Sequence, residues 1–229
     1  MKFRKLILLG FFLSGFAWGG IGLNTTRIIY NADQKGASVI IRNDGDDVLA
    51  QSWIESKIEG EAPPFMVTPP LAKVAAKGEQ LLRVILMDAK SLPQDRESVF
   101  WLNVQEIPLK HQGKAVIQFA VRQRIKLFYR PEVLSSQSAV DAVKSVVMNV
   151  VGDKFIITNN SPFNININEV KINGHTYSPG ILPPLDKIMI NARDEPGKDF
   201  GLSIINDYGG LTNYVGYWDG GVVKFKEKI

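Results

Sequence analysis

The sequence predicts an all-β protein built as two sandwich domains, on three observations. Short runs rich in β-branched and aromatic residues recur from Leu23 onward, clusters of Gly, Pro, Asn and Asp separate them, and no long stretch carries helical periodicity. The 210 residues after position 19 suffice for one large or two ordinary domains with a sizeable apolar core.

Taken in order, Met1-Lys-Phe-Arg-Lys5 is a basic opening, Leu6 to Phe16 is apolar, and Ala17-Trp18-Gly19 offers small residues for cleavage after Gly19. This is the pattern of a secretory signal peptide over residues 1–19, too short to span a bilayer. The mature chain is therefore expected to be exported and soluble. Three of the 27 basic residues lie in that segment, which leaves 24 against 23 acidic ones, a net of +1. Such a balance gives no case for nucleic acid or membrane insertion, so any basic function must come from local placement. There is no cysteine, which rules out disulfides and thiol chemistry.

Five β-prone runs follow: Arg27–Tyr30, Ala37–Ile41, Val48–Ile54, Leu81–Leu86 and Val99–Val104. Between them lie turn signals at Asn43-Asp-Gly-Asp46, Pro63-Pro64, Pro69-Pro70, Lys77-Gly78 and Leu92-Pro93-Gln-Asp95. With the opening stretch, residues 20–130 hold about seven strands, the complement of an immunoglobulin-like domain.

The last of these is unusual. Residues 113–131 form a β-prone run with apolar residues alternating at Ile117, Phe119 and Val121, and cations at Arg122, Arg124, Lys126 and Arg130. A sandwich strand normally runs about 5 or 6 residues, whereas this one can continue for well over a dozen before Pro131. Arg122, Arg124 and Lys126 fit the charges that keep an edge strand from pairing with other chains.

After Pro131, Glu132 to Lys144 reads as a connector with room for one helical turn. Hairpin signals then resume at Gly152-Asp153, Asn173-Gly174 and Asp219-Gly-Gly221, which places a first domain over 20–142 and a smaller β-sandwich over 143–229. Phe163 to Asn168 alternates Asn with apolar residues, the pattern of a half-buried strand.

Catalytic chemistry finds little support. His111 and His175 both fall in expected turns, without a second His or any Cys at metal-ligand spacing, so structural or solvent-exposed roles are expected and no metal site. There is no Gly-x-Ser-x-Gly nucleophile elbow. Tyr208-Gly-Gly210 and Asp219-Gly-Gly221 lack the strand-to-helix context and the Lys-Ser/Thr ending of a phosphate loop. The chain is not expected to be an enzyme, and no cofactor is expected.

Three segments carry a resemblance to a known family: residues 92–108 (Leu-Pro-Gln-Asp-Arg-Glu-Ser-Val-Phe-Trp-Leu-Asn-Val-Gln-Glu-Ile-Pro), residues 124–131 (Arg-Ile-Lys-Leu-Phe-Tyr-Arg-Pro) and Ile205-Asn-Asp-Tyr-Gly209. With Thr26-Arg27, Gln51-Ser-Trp-Ile54 and Val67-Thr-Pro-Pro70 they resemble the periplasmic pilus-assembly chaperones of the chaperone-usher pathway. The match spans the first domain and one segment of the second. The short Pro108–Ala115 connection resembles the branch with a short loop before the donor strand.

The resemblance implies two immunoglobulin-like domains arranged as a boomerang around a subunit-binding cleft. It also implies a set of roles. Arg27 and Lys126 correspond to cleft cations that anchor a subunit's C-terminal carboxylate. Ile117, Phe119 and Val121 fall at the alternating positions of a donor strand that completes the subunit's fold. Glu97, Arg130 and Asp207 match a buried ionic triad that fixes the angle between the domains. The implied partners are pilin subunits and an outer-membrane usher, in the periplasm, and an exposed apolar edge adds the expectation of a self-capping homodimer in the free state. The alternative is a two-domain adhesive or sugar-binding surface protein on the same scaffold, with its ligand site in loops at a domain tip.

Overall fold

The computed structural model describes residues 20–58, 60–109, 119–137, 139–152, 154–191 and 199–228. In the first half lie β1 (Ile21–Leu23), β2 (Arg27–Asn31), β3 (Ala37–Asn43), β4 (Val48–Glu55), β5 (Phe65–Thr68), β6 (Leu71–Val74), β7 (Glu79–Leu86), β8 (Ser98–Pro108) and β9 (Arg122–Arg130). They form two facing sheets, one ordered β1-β3-β7-β5 and the other β2-β9-β8-β4-β6.

Nine described strands stand where about seven were expected, because two segments each supply a strand to both sheets. The opening segment pairs antiparallel with β3 as β1, then crosses at Asn24–Thr26 and pairs parallel with β9 as β2. The second segment switches at Pro69-Pro70, between β5 on β7 and β6 on β4. Proline brings no ladder donor, so the pairing breaks there. The packed interior includes Val39, Ile41, Val84, Leu102, Val104 and Leu127, all without solvent exposure. Phe65 sits edge-on against Tyr30 at 5.3 Å and Phe100 at 5.2 Å, the arrangement that ring quadrupoles favour.

The connector contains 3-10 turns at Glu132–Leu134 and Val143–Ser145 flanking a single helical turn, α1 (Ala139–Ala142). Leu134, Ala142 and Val143 are buried in the second core, which fastens the connector to the second sandwich.

That sandwich comprises β10 (Val146–Val151), β11 (Lys154–Asn159), β12 (Ile165–Ile172), β13 (His175–Tyr177), β14 (Gly180–Leu182), β15 (Lys187–Asn191), β16 (Phe200–Ile205), β17 (Leu211–Asp219) and β18 (Val222–Glu227). One continuous sheet path runs β13-β12-β16-β17-β18-β10-β11-β15, with β14 also on β12, and folds around its own core. The Asn-Gly signal holds: Ile172 faces His175 across a two-residue turn in which Asn173 has φ 50° and Gly174 φ 83°, the left-handed pair that a tight hairpin requires.

Candidate functional site at the seam between the sandwiches

β9 lies inside its sheet at one end and at the edge at the other. Its residues Lys126–Arg130 pair parallel with Arg27–Asn31 of β2, while Arg122–Tyr129 pair antiparallel with β8. Among the described residues no strand pairs Arg122–Ile125 on the side away from β8, so the first half of β9 offers open backbone groups. Just before it, Phe119 is 76% exposed and Val121 is 49% exposed. The described strand is nine residues long and shorter than the sequence suggests. Pairing reaches one residue further back, where the Glu106 amide donates to the Val121 carbonyl at 2.8 Å. Ile117 and His111 lie outside the described residues.

The β2–β9 register sets Arg27 directly beside Lys126. Both reach across to the second sandwich: Arg27 Nη1 donates to the Ile205 carbonyl at 3.1 Å, and Lys126 Nζ donates to Asn166 Oδ1 at 2.9 Å. Burial pushes the Lys126 ammonium below its ordinary range, and the adjacent Arg27 charge pushes the same way. Burial also lowers Arg27, with Asp207 working against that shift. Arg27 Nε and Asn166 Nδ2 are buried with no hydrogen-bond partner, which is unusual for donors at such depth. Among the described residues, neither Arg27 nor Lys126 is in an ion pair with a carboxylate. The result is a pair of half-desolvated cations with donors to spare, the electrostatic requirement for holding an anion.

One strand turn further, Arg130 joins the sandwiches. Its guanidinium donates through Nε to Glu97 Oε1 at 2.9 Å and through Nη2 to Asp207 Oδ2 at 2.9 Å, and it lies 5.1 Å from the Phe163 ring centre. Glu97 also accepts the Asn164 backbone N–H at 3.0 Å, and its own amide donates to the Pro162 carbonyl at 2.9 Å. Burial raises the Glu97 carboxyl above its ordinary range; for Arg130 the same burial is outweighed by Glu97 and Asp207, which hold its pKa up. A network this buried contributes little net stability for the desolvation it costs.

Sequence reasoning missed the second sandwich's share of this seam. Phe163, Asn164, Ile165, Asn166 and Ile167 are all at most 4% exposed, so the alternating stretch is not half-buried: the Asn side is covered by the first sandwich. The alternation also breaks near Asn168, where the β12–β16 register shifts by a bulge. Asparagines at every second strand position amid Ile and Phe were the available sign of a polar face that something else covers.

Arg122 and Arg124 do not stand out from the edge as isolated charges. Both engage Glu55, at 2.8 Å and 3.1 Å, and they lie over the rings of Trp53 and Trp101, 5.2 Å and 4.4 Å from the centroids. Arg122 Nε also donates to the buried Asn103 Oδ1. They tie β9 to β4 and β8 across the outer sheet face. His175 is exposed on its hairpin, and no metal-binding cluster of His, Cys, Asp and Glu occurs among the described residues.

Two sandwiches joined by a charged seam, with an open-edged strand at the junction, define a two-domain immunoglobulin-like protein suited to holding another chain. Residues 20–135 match the N-terminal domain of the pili and flagellar-assembly chaperone PapD, and residues 141–216 match the PapD C-terminal domain. The chain belongs to this pilus-assembly chaperone family. It is 37% identical over 199 residues to the chaperone protein LpfB of Salmonella typhimurium, covering 83% of this chain and 85% of LpfB. It is 31% identical over 212 residues to the chaperone protein FimC of Escherichia coli, covering 90% and 88%. Among solved structures, the SafB chaperone from a complex with the SafA pilin of Salmonella enterica superposes with a TM-score of 0.76 at 26% identity, over 86% of this chain and 96% of that one.

Proposed function

We propose that the protein is a periplasmic chaperone that receives a pilin subunit, completes its fold by lending it a strand, and passes it to an outer-membrane usher. The single observation that carries this reading is the join of two features on one element. β9 has an unpaired edge preceded by the exposed Phe119 and Val121, and it continues into Lys126, register partner of Arg27.

A subunit lacking its last strand presents unpaired backbone and a vacant apolar groove. An incoming edge strand satisfies both deficits, with every second side chain entering the groove. By their spacing of two, Ile117, Phe119 and Val121 would share one pleat face of an extended strand laid in that groove, with Lys126 on the other face. Arg27 and Lys126 hold the subunit's terminal carboxylate and so set the register, since a slip of one residue would turn the apolar trio out of the groove. Glu97, Arg130 and Asp207 fix the second domain (143–229) against the first (20–142). Residues 1–19 serve as a cleaved export signal. The protein is not an enzyme and uses no cofactor; the driving force is the subunit's own burial of apolar surface. When free, two copies cover each other's donor edges as a self-capping homodimer.

The test is co-expression of an Arg27→Ala, Lys126→Ala double variant with a cognate pilin. Rapid loss of the subunit to periplasmic proteolysis is expected, and protection equal to that given by the unmodified protein would overturn the anchoring roles. An adhesive surface protein would instead bind glycans with no dependence on Arg27.

A further inference from the structure

The hairpin between β16 and β17 carries Asp207 into the ionic seam, and on the next residue it displays the most exposed large hydrophobic side chain among the described residues, Tyr208 at 98%. An aromatic ring left wholly in water forgoes burial that a ring normally seeks. Flexibility does not explain it, because the turn beneath is over-determined. Asn206 Oδ1 accepts the amides of Tyr208 at 3.1 Å and Gly210 at 3.0 Å. The Asn206 amide donates to the Gly210 carbonyl at 2.9 Å, and the Gly209 amide donates back to the Asn206 carbonyl at 3.0 Å.

The hairpin is also pressed onto the anchor. Gly209 has φ 86°, and a Cβ built on it would come within 2.5 Å of Thr26 Oγ1 and 4.0 Å of Arg27 Nε. The residue after Tyr208 is glycine because nothing larger fits between the turn and the start of β2. Tyr208 is thus a fully solvated ring on a firmly bonded turn, and the same hairpin accepts a hydrogen bond through its Ile205 carbonyl from Arg27, the residue proposed to hold a carboxylate.

We propose that Tyr208 is a specificity-determining residue, which packs its ring on an apolar side chain of the subunit within the last few residues before its terminal carboxylate. The inference rests on the anchoring roles of Arg27 and Lys126 and adds a reader beside them. An extended chain held at its carboxylate advances about 3.3 Å per residue, so its last two or three side chains pass beside this hairpin. A preorganised ring with few rotatable bonds loses little entropy on contact, which suits Tyr to interface positions.

The experiment measures binding of the mature protein to two synthetic 15-residue β-prone peptides with free C-terminal carboxylates, one with Phe two positions before the end and one with Ser there. The unmodified protein is expected to prefer the Phe peptide. Tyr208→Ala removes that preference by weakening the Phe peptide about three- to tenfold, the range of an aromatic contact, and leaves the Ser peptide unchanged. Tyr208→Phe keeps the preference. Retention of the full preference by Tyr208→Ala, or equal weakening of both peptides, would overturn the proposal. A C-terminally amidated Phe peptide separates the two readings: if it binds the unmodified protein as tightly as the free acid, the anchor itself fails, whatever Tyr208 does.

Discussion

Arg27 and Lys126 stand side by side as register partners on parallel strands, where burial penalises both charges and repulsion from Arg27 further lowers Lys126. A carboxylate placed between them relieves that repulsion. Lys126 is depressed first by burial and then by Arg27, so binding of an anion raises its pKa and takes up a proton. The sign follows: affinity for a subunit carboxylate is full below the depressed Lys126 pKa, where the ammonium is charged, and falls as pH rises through it. Calorimetry in buffers of different ionisation enthalpy reads this as net proton uptake that grows toward alkaline pH. Binding with no uptake and no alkaline loss would contradict it.

Arg130 carries the greatest structural risk at the seam. Arg130→Ala leaves Glu97, 4% exposed, buried without its counter-charge. The expected cost is about 3–5 kcal/mol, typical of a buried pair broken on one side. Denaturant melting measures it, and Arg130→Ala together with Glu97→Gln should recover part of the loss by removing the stranded charge. A single variant as stable as the unmodified protein would show that the network is dispensable.

Phe119→Glu is expected to abolish subunit co-purification and leave the free chaperone as stable as before. The residue is exposed in the single chain, and at a dilution that dissociates the self-capping homodimer such surface substitutions usually change stability by less than about 0.5 kcal/mol. In a subunit groove the same ring would contribute about 1.5–3 kcal/mol, and a carboxylate there would instead be a buried charge. Undiminished co-purification would exclude Phe119 from the lent strand.

Much of this was legible in the residues. The β-rich, turn-punctuated pattern gave two sandwiches because period-two burial and hairpin chemistry are local properties. Arg27 stands beside Lys126, and Arg130 bonds Glu97 and Asp207, positions that only the resemblance singled out. Features made by the meeting of distant surfaces were not legible. The asparagines at 164 and 166 read as a solvent face, since nothing in their own strand says that another sandwich covers it. Arg122 and Arg124 read as edge charges because Glu55 and Trp53 lie on β4, five strands earlier in sequence but only two strands from β9 in the sheet, with Trp101 on the β8 between them. The switch of one segment between two sheets, at Asn24–Thr26 and at Pro69-Pro70, likewise depends on which neighbours the rest of the chain provides.

The central claim is that the open edge of β9 is lent to a subunit, and amide hydrogen exchange tests it most directly. Backbone amides over residues 119–125, compared in the free chaperone at a dilution that keeps it monomeric and in its complex with a pilin, should gain strong protection in the complex. The ladder from Lys126 to Tyr129, already paired on both sides, should change little. A complex that forms with residues 119–125 exchanging as fast as in the free protein would contradict strand donation.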